Sequence, residues 1–75
     1  MDIADQYQLI AQASGLTIGQ VGTYLAKVVI QSDGAWLVCF AHELERDPDV
    51  ASKLPASKTV LIPKQNVDAY DRAPG

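Results

Sequence analysis

The chain has 75 residues, 48% of them apolar, a single cysteine and a formal net charge of −3. That length allows one domain, 1–75, and a chain this short buries only about 60% of the surface it exposes when unfolded. One cysteine excludes an internal disulfide, and six Lys and Arg scattered along the chain disfavour nucleic acid and anionic membrane as non-specific partners, since both need clustered positive charge.

Residues 2–14 read as a helix. Ile3, Tyr7, Ile10, Ala11 and Ser14 fall on one stripe at helical spacing. Asp2 is placed to cap the first turn and Gly15 to end the helix in a left-handed conformation. The next segment, 17–26, reads either as a helix with Thr17 as cap or as the approach to a strand. Gly19 and Gly22 each cost a helix interior about 1 kcal/mol relative to Ala, and Thr23 precedes a β-branched run, so strand is expected from Thr23 onward, with 16–22 a turn or a short helix.

Val28, Val29 and Ile30, then Trp36, Val38 and Phe40, flank Ser32, Asp33 and Gly34. Asp-Gly between β-branched and aromatic runs is a strong hairpin signal. The expected pairing joins 28–31 to 35–38, with Trp36, Val38 and Phe40 on one face against Tyr7 and Ile10. Residues 42–47 either extend the strand or form a helical turn. Pro48 and Pro55 bracket a loop carrying one helical turn. Residues 59–62 form a third strand, which Pro63 ends or places at a sheet edge; Pro63 can also open a helix through Arg72 with Val67 and Tyr70 facing inward. The tail, 73–75, is expected to fray.

No constellation of catalytic residues stands out. Cys39 lies inside an apolar run and reads as a buried small hydrophobe. His42, three residues on, points to the opposite side of a strand, so the pair is poorly placed to share a metal. No metal or cofactor site is expected. Glu43, Glu45, Asp47 and Asp49 form the densest acidic stretch. It lacks the glycine and terminal glutamate of a calcium loop and reads as a solvated face or a patch for a basic protein partner. No stretch is long or apolar enough to span a bilayer. The acidic start, with a lone thiol, points to a reducing, cytoplasmic setting.

Two resemblances bear on the fold. Residues 7–26, with Ile10 and Ala11, Gly15 in the turn, then Leu16, Val21 and Tyr24, resemble a helix-turn-helix, and residues 54–70 resemble the wing and final helix of excisionase-type winged helices. That resemblance implies DNA binding, with Gln20 and Thr23 as the residues that would contact bases; the segment 17–23 has no Lys or Arg for phosphate contacts. Residues 59–67, after an N-terminal helix, are similar to the ending of Sm-like and SH3-like small barrels, with Pro63, Lys64 and Gln65 where that family has Arg-Gly.

The expected fold is α+β: an N-terminal helix on a small antiparallel sheet built from the hairpin 23–42 and strand 58–62, related to an Sm/SH3-like small barrel or, alternatively, to a winged helix-turn-helix. The expected function is a non-enzymatic, regulatory interaction module that binds a protein partner and forms a homo-oligomer, most simply a dimer. Its contact is expected at a sheet edge near 59–62 or at an uncovered apolar face. A DNA-binding regulator is the alternative. An enzyme whose cleft forms only between subunits is a third class.

Overall fold

The computed structural model describes residues 2–72. Helix α1 spans Ile3–Ser14. Asp2 Oδ1 accepts the Asp5 amide at 2.9 Å, and Gly15, at φ 76°, closes the helix by donating its amide to the Ala11 carbonyl. Ile10, Ala11 and Ser14 are buried and Tyr7 is half-buried, as the stripe predicts. Two positions differ: Ile3 is 67% exposed and Leu9 is buried. The inward face is thus centred nearer Leu9 and Ile10 than the sequence stripe placed it.

Helix α2 spans Ile18–Tyr24, and strand β1 begins only at Leu25. The expectation of strand from Thr23 is therefore corrected, and the sheet is served by two N-terminal helices instead of one. The reason is local. Thr17 and Gln20 form a reciprocal capping box, Gln20 N to Thr17 Oγ1 at 3.1 Å and Thr17 N to Gln20 Oε1 at 3.0 Å, which satisfies two first-turn donors. The Thr23 hydroxyl donates to the Gly19 carbonyl at 2.9 Å, and Val21 is completely buried. Caps and packing together offset the two glycines, the usual way tertiary context overrides propensity.

Strands β1 (Leu25–Ile30) and β2 (Trp36–Phe40) form the hairpin. Gly34 adopts φ 90°, Asp33 Oδ1 accepts the Ala35 amide at 2.9 Å, and Gln31 N donates to the Ala35 carbonyl at 2.7 Å. The register pairs Val28 with Val38, Val29 with Leu37 and Ile30 with Trp36, as expected, with an irregularity between Leu25 and Lys27. The strand stops at Phe40. His42–Arg46 forms a 3₁₀ turn with Leu44 buried beneath it, so 42 lies outside the hairpin.

Asp47 caps the short helix α3, Pro48–Ala51. Strand β3, Thr59–Ile62, pairs antiparallel with β2 and completes a sheet of order β1-β2-β3. Helix α4 spans Lys64–Arg72. The Pro63 carbonyl accepts the Asn66 and Val67 amides at 3.0 and 3.2 Å, so Pro63 caps the helix from just outside it. The expectation for 73–75 lies outside the described residues. The result is a small α+β domain. Trp36, Val38 and Phe40 share one sheet face; Val38 and Phe40 join Leu9, Ile10, Val21, Leu44, Val50 and Ile62 in the core, with the half-buried Trp36, Tyr7, Val67 and Tyr70 packed at its margin.

Candidate interaction surface

Alternation along β2 places Leu37 and Cys39 on the face opposite the core. The register adds Val29 and Lys27 from β1 and Leu61 and Thr59 from β3. Val29, Leu37 and Leu61 therefore lie side by side in one apolar row across the sheet. Val29 is 40% exposed and Leu61 60% exposed, so both ends of the row face solvent, with Leu37 half-buried between them. Lys27 carries the only charge among the strand positions of this face.

Both outer strands present edges. Phe40 N donates to the Lys58 carbonyl on the β3 side at 2.9 Å, whereas Gln31 N bonds Ala35 across the hairpin. Antiparallel alternation from these bonds turns the backbone groups of Val28 and Ile30 away from β2. Ile30 itself is 68% exposed, although its side chain belongs to the core-facing side of the sheet.

Cys39 is half-buried on the open face. The expectation of a buried thiol is corrected: its position is odd in a strand whose even positions point inward. His42 is exposed in the 3₁₀ turn, with Nε2 3.2 Å from Glu45 Oε2.

Three of the four acidic side chains of the stretch, Glu45, Asp47 and Asp49, have partners within the chain. Asp47 Oδ1 caps α3 through the Asp49 and Val50 amides, at 3.2 and 3.4 Å, and Asp47 Oδ2 accepts the Tyr24 hydroxyl at 3.2 Å. Partial burial, then the Asp47 charge and this bond, hold the Tyr24 phenol above its ordinary pKa. Asp49 Oδ2 accepts the Gln20 amide at 2.9 Å and lies 3.7 Å from Lys53 Nζ. Glu45 Oε1 meets Lys58 Nζ at 2.8 Å, and that bond, aided by the His42 and Lys58 charges against a smaller desolvation effect, lowers the Glu45 pKa. Glu43 is exposed and forms no ion pair among those seen between described residues.

Of the two residues placed against DNA bases by the helix-turn-helix resemblance, Gln20 is held at both ends of its side-chain amide by Thr17 and Asp49. Thr23 is exposed and donates its hydroxyl to its own helix.

An open groove of about 470 Å³ runs between α1 and α4, lined by Leu9, Gln12, Ala13, Asn66, Ala69 and Tyr70, and the Tyr70 hydroxyl reaches Gln8 Oε1 beside it. Among the described residues, its lining has no carboxylate, amine or imidazole. No group of three or more metal-ligating side chains occurs among the described residues. No described helix is long and apolar enough to cross a membrane. The residues that sequence reasoning missed are Val29, Leu37 and Leu61; a strand-period count of the odd positions in β2 would have flagged Leu37. No family model matches the chain, and no curated protein or solved structure matches it.

Proposed function

We propose that this chain is a small, non-enzymatic interaction module with a regulatory role, which self-associates and binds a protein partner. The observation that supports this reading most is the Val29–Leu37–Leu61 row on the sheet face opposite the core and the described helices packed there. Contiguous exposed apolar surface bounded by polar residues marks interaction sites, and an uncapped β-edge beside it invites pairing. Glu43 and the other acidic groups of 43–49 lie past the Phe40 end of the sheet and supply a secondary contact for basic groups of the partner. In this reading the protein works in the cytoplasm, where Cys39 stays a thiol.

Capture from the host lysate with wild type and Leu61→Gln side by side tests the proposal. The reading expects a protein retained by the wild type and lost with Leu61→Gln, while circular dichroism shows the same fold for both. An identical captured set would contradict it.

The pair α1 and α2 across the Gly15 turn favours a second reading, a DNA-binding regulator of winged helix-turn-helix type. An Sm- or SH3-like small barrel is supported to a similar degree by the antiparallel strand order behind an N-terminal helix. The DNA reading ranks second because α2 has no Lys or Arg and its Gln20 is held by an aspartate. It predicts duplex binding that weakens steeply with salt, measurable by fluorescence anisotropy.

A further inference from the structure

We infer that the free edge of β1 is built for a second copy of this chain, paired antiparallel across a two-fold axis at Val29. The inference rests on the self-association part of the reading above and adds the surface, the register and the contacts.

Four observations converge on it. Among the described residues β1 is an edge strand that contacts β2 extensively and no other element to a comparable extent, so its outer edge has no strand beside it. The irregularity between Leu25 and Lys27 ends the regular edge and leaves 27–31 as the usable stretch. Within that stretch the outward backbone groups belong to Val28 and Ile30. Setting Val29 opposite its symmetry mate places Val28 opposite Ile30 of the other copy, and Ile30 opposite Val28. Every outward N–H and C=O of these two residues then finds a partner in both copies. Sliding the register by two residues either way leaves half of them facing the bulge or the turn.

The side chains agree with the backbone. Ile30, 68% exposed in the single chain, comes to rest beside Val28 of the second copy on the core-facing side. On the open side Val29 meets Val29, and the apolar row becomes continuous across six strands. The charges are complementary too. Lys27 lies opposite Gln31 of the second copy, at the foot of the hairpin turn that carries Asp33. Asp33 spends one carboxylate oxygen on the Ala35 amide, and Lys27 has no ion pair among those seen between described residues. Each Lys27 thus comes near the acidic turn of the other copy, and no like charges face each other across the paired strands.

The arrangement predicts which cysteines can cross-link. A pair between hydrogen-bonded rungs has Cα atoms about 4.5 Å apart, inside the range a disulfide spans. Lys27 and its symmetry mate stand four residues out of register, about 14 Å at ~3.4 Å per residue, beyond disulfide reach. In a Cys39→Ser background, with oxidised glutathione as oxidant, Val29→Cys should form a covalent dimer and Lys27→Cys should not, by non-reducing electrophoresis. Ile30→Pro removes an outward N–H that β2 does not use, so it should keep the wild-type circular dichroism spectrum and lose the dimer by light scattering. If the wild type associates while Val29→Cys stays reduced, or Lys27→Cys links equally well, the edge register is wrong and the wider reading stands. A wild type that is monomeric at every concentration removes the second copy as occupant, leaving the lysate result with Leu61→Gln to judge the partner-binding claim.

Discussion

The Gln20 side-chain amide donates to Asp49 Oδ2 at 2.9 Å, joining α2 to α3 across 29 positions of sequence. The same side chain closes the capping box with Thr17, so one residue both starts a helix and ties it to the segment after the hairpin. Gln20→Ala should cost about 1 kcal/mol in urea unfolding, the usual worth of a cap. Asp49→Ala should cost less, because both groups are solvent-accessible. A double-mutant cycle should return a coupling of roughly 0.5 kcal/mol; additive losses would mean the tie contributes nothing.

Phe40 is 6% exposed and pairs with Leu25 at the end of the hairpin away from its turn. Phe40→Ala should destabilise by about 3–5 kcal/mol, the transfer and cavity cost of a buried ring. That is a large share of the total for a domain this small. Leu61→Ala, on the open face, should change stability by less than about 1 kcal/mol. Comparable losses for the two substitutions in chemical unfolding would mean that the open face is covered in the free protein.

The Glu45 carboxyl is held below its ordinary pKa of 4.5, first by the Lys58 bond and then by the His42 and Lys58 charges. A depressed carboxyl stabilises the fold above its unfolded pKa, and that contribution is lost as pH falls through the folded value. Between neutral pH and about 4.5 the wild type should therefore hold this increment, and below that range it should lose it. Glu45→Gln should show a flatter loss of melting temperature over the acid limb, with the two proteins converging at the lowest pH. Parallel acid limbs would show that the Glu45–Lys58 contact carries no net stability.

The features legible in the sequence are those with a local cause. Asp2 and Gly15 bracket α1 because a cap and a left-handed stop act within a few residues. Asp33 and Gly34 set the hairpin register for the same reason, and Trp36, Val38 and Phe40 follow from strand alternation. Helix α2 was obscured by Gly19, Gly22 and the β-branched run that follows them. Its signal was present in Thr17 and Gln20, at the spacing of a capping box. The acidic residues 43–49 illustrate what a sequence withholds. Asp47 followed by Pro48 is a helix start readable from chemistry, but nothing near Asp49 announces Gln20, and nothing near Glu45 announces Lys58. The open face was hidden because apolar residues at both odd and even positions of β2 read as one buried run. Only the three-dimensional arrangement shows that the helices cover a single side.

The central claim is self-association, and molar mass by light scattering across a dilution series tests it most directly. The account predicts a species of twice the 8.1 kDa chain mass at high micromolar concentration, dissociating on dilution. A mass of 8.1 kDa throughout that range would contradict it.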